Sequence, residues 1–237
     1  MILLWVVYVL AGAIGVMLLG VFLRETWRAR ANRRFERLST ACAAQIQVLQ
    51  NLESDALATQ LKASFPLPVI EKCLVEAAEQ AETLQRQKLV QVNQDLGIVQ
   101  ARIEALNSAD SWHKRAAAAE RLGRIGHSAA VLPLIAVLED PSEDAQVKTA
   151  ATSALQIISD PRAIEPLVEA LGRDDADISR PIADVLEGLG PRAVPALLDV
   201  LRSSKTESQR YWAARILGAS TSFASAAHLI TALQDRS

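Results

Sequence analysis

Aromatic residues are scarce in this chain: they make up 4% of its 237 positions, although half of the sequence is hydrophobic. The apolar mass is therefore Ala, Leu, Val and Ile, a mixture that favours helices. Cysteine is nearly absent, and Cys42 and Cys73 are too few for a disulfide framework. Ten Gly and nine Pro exclude a collagen-like or low-complexity chain. A charged fraction of 22% with a net charge of −2 excludes the highly charged disordered class and a globally basic nucleic-acid binder. The common catalytic motifs are missing too. There is no G-x-S-x-G, Walker loop or G-x-G-x-x-G, and Gly12-Ala13-Ile14-Gly15 falls inside an apolar run. His113, His127 and His228 lie far apart without ligand-spaced partners, so no metal, cofactor or catalytic residue is expected.

The mean hydropathy of +0.15 is high for a soluble domain, and the excess is concentrated at one end. Ile2 to Leu23 contains no charged residue across 22 positions. As a helix this run spans roughly 33 Å, enough to cross a bilayer. Trp5 and Tyr8 lie near one end of it and Trp27 just beyond the other, where amphipathic rings sit at headgroup level. No basic stretch precedes the run, and Ala29-Arg30-Ala31, the one small-x-small pattern, lies past Arg24 and Arg28. An uncleaved anchor over 1–31 is therefore expected. Arg24, Arg28, Arg30, Arg33, Arg34 and Arg37 stand against Glu25 and Glu36, a surplus of four positive charges, so the remainder of the chain carries −6. The positive-inside rule then places a single-pass protein in the inner (cytoplasmic) membrane with its C-terminal part cytoplasmic. The same arginines suit anionic lipid headgroups.

Residues 32–107 are rich in Ala and Gln and are broken at Ser64-Phe65-Pro66-Leu67-Pro68, where two prolines end a helix. Leu38, Cys42, Ile46 and Leu49 form one apolar stripe; Leu89, Val92, Leu96, Val99, Ile103 and Leu106 alternate at three and four as a short a/d seam. An antiparallel helical hairpin or coiled-coil-like linker is expected here, with both cysteines as buried thiols.

From Trp112 onward the chain repeats itself. PLIAVLED (133–140), PLVEALGR (166–173), PALLDVLR (195–202) and HLITALQD (228–235) each follow an Ala-rich helical stretch, and the markers Leu122, Leu155, Leu186 and Leu217 step by 33, 31 and 31. Each unit reads as two short helices joined by a tight turn, Ala-rich in the first helix and Leu/Ile/Val-rich in the second. One pair cannot bury its apolar faces alone, so about four pairs are expected to stack as an α-solenoid over 108–237.

These units carry a family resemblance. Asp160-Pro161-Arg162-Ala163-Ile164-Glu165-Pro166-Leu167, Gly190-Pro191-Arg192-Ala193-Val194-Pro195 and Arg121-Leu122-Gly123-Arg124-Ile125-Gly126 resemble bacterial HEAT repeats of the phycobilisome-lyase type. The first-helix arginine typical of such repeats is matched by Arg115, Lys148, Arg180 and Arg210, with Arg180 shifted by one place. The resemblance implies a curved scaffold whose second helices line the concave face. It also raises a phycobilin-lyase-like activity as an outlying alternative, for which a membrane anchor is unexpected.

The chain thus reads as all-α: one transmembrane helix, a helical hairpin or linker, and a HEAT-type solenoid. Its expected function is a membrane-anchored scaffold that binds a protein partner at the cytoplasmic face, or else an accessory subunit of an integral-membrane complex. The expected partners are the lipid bilayer, a protein of unknown identity or a second copy of the chain, and not nucleic acid, which the acidic remainder would repel. Two partner surfaces suggest themselves. Acidic residues recur at the inter-repeat turns, with Glu143, Asp144, Asp174 and Asp175 as an acidic ridge for a basic partner. In the last repeat, either the chain continues in a longer parent or the face of Ala226, Leu229, Ile230 and Leu233 is expected to be partly exposed or covered by another molecule.

Overall fold

A computed structural model describes residues 2–171, 176–204 and 206–219, with side chains described throughout except at 2–16 and 176–178. Twelve α-helices occur among these residues. The first, α1 (Ile2–Val48), is continuous over 47 residues, about 70 Å of rise. Among the described residues no helix is long and apolar enough to cross a membrane. Most of the apolar run expected to do so, at 2–16, has side chains outside the described set. Its remainder, Met17 to Leu23, is exposed, as are the five arginines Arg24, Arg28, Arg30, Arg33 and Arg34. Farther along α1 the expected stripe turns inward: Cys42 and Ile46 are buried, and Leu38 and Leu49 half-buried.

The linker expected over 32–107 departs from a hairpin. The helices α2 (Ser54–Ser64), α3 (Leu67–Gln80), α4 (Thr83–Asp95) and α5 (Ile98–Ser108) follow α1 in short succession. The break around Pro66 is where the prolines place it, with Pro68 in the first turn of α3. The others come from different causes. Gly97 adopts φ +72°, a left-handed conformation that glycine takes without penalty, and it cuts the Leu89–Leu106 seam into two helices. Ala81 and Glu82 are extended between α3 and α4. The helices of this segment pack on one another and on their neighbours: α3 packs on α1 and α4, α2 packs on α4, and α5 packs on α6 (Trp112–Ile125). One apolar cluster runs from Cys42 to Leu217 without a gap at the expected boundary near 107.

Beyond α5 come three complete helix pairs: α6 with α7 (Val131–Glu139), α8 (Ala145–Ile158) with α9 (Ile164–Ala170), and α10 (Ala176–Leu189) with α11 (Val194–Ser203). The first helix of a fourth pair is α12 (Glu207–Ala219), and its expected second helix lies outside the described residues. The first helices α6, α8, α10 and α12 stack in one row; the second helices α7, α9 and α11 stack in another, headed by α5. The first row is close-packed because its residues are small. A Cβ added to Gly123 would lie 2.7 Å from the Ala154 Cα, so α6 meets α8 at backbone distance. Ala119, Ala151, Ala183 and Ala213 are buried in the same row.

The turn inside each pair is one motif used three times. Four residues after each marker leucine, Gly126, Ser159 and Gly190 take φ of +76°, +48° and +58°. The amides of Gly126 and Ser159 donate to the carbonyls of Leu122 and Leu155 at 3.0 and 2.9 Å, closing the first helix. A short 3₁₀ turn follows at Ser128–Ala130, Pro161–Ala163 and Gly190–Arg192. In the first two turns a side chain caps it: His127 Nδ1 accepts from the Ala129 amide at 3.1 Å and Asp160 Oδ1 from the Arg162 amide at 2.9 Å. The Arg192 guanidinium reaches back to donate to the Ser159 carbonyl at 3.0 Å, tying one turn to the preceding one.

Candidate docking surface

The first-helix arginines act as staples. Arg115 donates from Nη1 to the Ala109 carbonyl at 2.9 Å, and Arg210 from Nη1 to the Ser204 carbonyl at 3.1 Å, each reaching six residues back to the turn before its helix. A backbone carbonyl that would otherwise lack a partner is thereby satisfied by a charged donor. Arg115 also grips Glu143 through two parallel bonds, Nε to Oε2 at 3.0 Å and Nη2 to Oε1 at 2.7 Å.

That contact changes the meaning of the acidic ridge. Glu143 is largely shielded and neutralised by Arg115, and its Oε1 also accepts from the Asp144 amide at 2.8 Å. Asp144 caps α8, with Oδ1 accepting from the Gln146 amide at 2.8 Å. Both carboxylates therefore hold the turn between the first two pairs together instead of offering free charge. Nearby, Asp140 Oδ1 accepts from the Ser142 hydroxyl and amide, which lowers the Asp140 pKa. The ridge residues Asp174 and Asp175, and the terminal face of Leu229, Ile230 and Leu233, lie outside the described residues.

An open groove of about 930 Å³ lies between the first helices α8 and α10. From α8 it is lined by Lys148, Thr149, Thr152, Ser153 and Gln156, and from α10 by Pro181, Asp184, Glu187 and Gly188. Residues four apart on α8 and three or four apart on α10 fall on one face of each helix, so each wall presents polar side chains to the groove. Gln156 Nε2 donates to the Asp184 carbonyl at 2.9 Å and bridges the floor. Gly188 makes room for that bridge, since a Cβ there would lie 3.1 Å from the Gln156 Cγ. Thr149 and Thr152 donate to the carbonyls of Ala145 and Lys148 one turn back, at 2.8 and 2.9 Å, leaving their hydroxyl oxygens as acceptors. Asp184 and Glu187 are exposed. With Glu143 held by Arg115, the lining charges are Lys148 against these two acids, a surface suited to a hydrogen-bonding segment with basic character.

Sequence reasoning missed this groove. It singled out the turns, where acids cluster in the chain, and passed over Asp184 and Glu187, whose signal is only that they share a helical face. The groove also belongs to the row of first helices, not to the second helices that the family resemblance favoured. Among the described residues, no group of three or more His, Cys, Asp or Glu is arranged to hold a metal ion.

A family model described as HEAT repeats matches residues 99–187. The matched span begins inside α5 and ends in α10, so it includes nearly all of the helix that heads the second row, the whole of α8 and α10 as far as Glu187. The match and the all-helical structure together support a HEAT-repeat protein. Such repeats generally serve protein–protein interaction and scaffolding and are typically non-enzymatic. No curated protein matches the chain.

Proposed function

We propose that this chain is a membrane-anchored HEAT-repeat scaffold that holds a protein-binding surface at the cytoplasmic face of the bilayer. The observation that carries the binding part is the open groove between α8 and α10, whose lining residues from Pro141 to Glu187 fall in the span that matches HEAT repeats. The anchoring part is supported by the uncharged run Ile2 to Leu23 and the arginines that follow it. Tethering would act by confinement: fixing the groove beside the membrane raises its effective concentration toward partners held there.

The test is affinity purification of the full chain from native membranes with mass spectrometry, alongside an Asp184→Lys, Glu187→Lys variant. A recurrent protein captured by the unaltered chain and lost with the variant, at unchanged helical content, supports the reading. An identical captured set for both overturns the groove as the docking surface. Protease protection of a C-terminal tag tests orientation, and digestion from the non-cytoplasmic side would reverse it.

A further inference from the structure

A second groove, of about 550 Å³, lies where α1 meets the start of α3. Its size falls within the roughly 300–1,000 Å³ of small-molecule sites. Trp27, Phe35, Leu38 and Val69 line it with apolar surface, and Arg30 and Arg34, one turn apart on α1, line it with charge. No carboxylate borders it. Trp27 is 71% exposed, and Leu67, in the Pro66–Pro68 turn beside the groove, is 44% exposed, so apolar surface continues outward from the groove. Among the described residues no ion pair engages Arg24, Arg28, Arg30, Arg33 or Arg34, and Glu25 is the one acid within 24–35. Lys72 Nζ lies 5.4 Å from the Phe35 ring centroid and 3.3 Å from Glu36 Oε1.

The ligand that matches an apolar cleft edged by unpaired guanidinium groups has an apolar tail and an anionic head. We infer that this groove binds an anionic phospholipid of the adjoining leaflet, with Arg30 and Arg34 on the phosphate and an acyl chain against Trp27, Phe35 and Leu38. Position argues for the bilayer as the source. Along α1, Trp27 stands about 6 Å and Arg30 about 10 Å beyond Leu23, the last residue of the apolar run. A headgroup layer is roughly 5–7 Å deep on each side. The Trp27 end of the groove therefore opens at that layer, Arg34 stands about 16 Å beyond Leu23, and long arginine side chains reach back toward the headgroups. This inference rests on the anchored reading above and adds to it a lipid class and a site.

The experiment is native mass spectrometry of the full chain purified in a neutral detergent and offered equal amounts of phosphatidylglycerol and phosphatidylcholine. The unaltered chain should retain phosphatidylglycerol in roughly thirtyfold preference, given about 1 kcal/mol for each of the two arginines near an anionic surface. Arg30→Glu with Arg34→Glu should abolish the preference, and Ala31→Trp, which fills the groove without changing charge, should cut total retained lipid. Equal retention of both lipids by the unaltered chain, or a preference unchanged in the charge-reversed variant, overturns the inference. So does displacement of the lipid by millimolar inorganic phosphate, which would identify a free-anion site. Alkaline extraction from vesicles tests the anchor separately. A chain that is extracted yet keeps its lipid preference loses the anchor and keeps this site, and a chain that stays embedded without a preference does the reverse.

Discussion

The two halves of the helical core bury similar apolar residues but hold their helices in register by different means. In the stack from α6 to α12 one turn recurs, with a left-handed residue at 126, 159 and 190 and small residues wherever first helices meet. In the part from α1 to α5 no such turn recurs, since two breaks are the extended pairs Phe65-Pro66 and Ala81-Glu82 and another is the left-handed Gly97, and single polar contacts tie the helices together. Glu71 on α3 is 5% exposed and is held by Arg102 of α5, whose Nε donates to its Oε1 at 2.9 Å, and by Arg121 of α6 at 3.4 Å. That carboxylate joins three helices across the boundary between the halves. Repetition spreads specificity over many equivalent contacts, whereas the irregular half concentrates it in a few.

The largest expected effect comes from attacking such a concentrated contact. Glu71→Ala removes the shared carboxylate of Arg102 and Arg121 and leaves a hole between three helices, which should cost about 2–3 kcal/mol in chemical denaturation, the loss of charged hydrogen bonds to partners that can still reach water. A loss below that expected for an exposed pair would mean that the irregular half is held by packing alone.

Two repeat-equivalent glycines sharpen the other side of the comparison. Gly123→Ala forces a Cβ against Ala154 and should destabilise by about 1–3 kcal/mol through overpacking. Gly218 lies one residue after its own marker leucine, as Gly123 does, but a Cβ there meets no atom within 4 Å among the described residues. Gly218→Ala should therefore raise stability by about 0.5–1 kcal/mol, the helix-interior preference for Ala. Equal effects at the two sites would refute the close approach of α6 to α8.

Smaller effects belong to the shared turn. Ser159 occupies the left-handed position that glycine fills in the other two turns, so Ser159→Gly should stabilise by about 0.5–1 kcal/mol, read as a higher thermal midpoint. His127 takes the place of Asp160 as the cap, and its neutral ring nitrogen is the acceptor. Burial and the Arg162 guanidinium lower the His127 pKa below 6.5, against an opposing pull from Asp95. The unfolded chain then binds more protons than the folded one just below pH 6.5. The stability this histidine contributes is present above that pH and is lost as pH falls through the folded-state pKa. His127→Asp should keep the cap and flatten that slope. An unchanged slope between pH 7 and 5 would place the titration elsewhere.

Much of the stack was legible from single positions. Leu122, Leu155, Leu186 and Leu217 mark four first helices that occur in the structure, because a helix face buried against identical neighbours must repeat its side chains. Asp160-Pro161 signalled a turn, and a turn with a capped 3₁₀ segment is there. The Leu89–Leu106 seam misled, because Gly97 sits between apolar positions whose spacing is the same whether one helix or two carry them. Glu143 misled as well. Its charge is visible in the chain, but Arg115, 28 residues earlier, cancels it only when α6 and α8 are side by side.

Local chemistry settled which stretches are helical, which residues punctuate them and which faces are apolar, since those follow from propensity, glycine and proline geometry and period. The grooves needed the third dimension. Asp184 meets Gln156, and Trp27 and Val69 line one groove, only because helices distant in sequence were brought to a common wall. A surface formed by two helices depends on their crossing and separation, and in this protein those are governed by small-residue contacts such as Gly123 with Ala154.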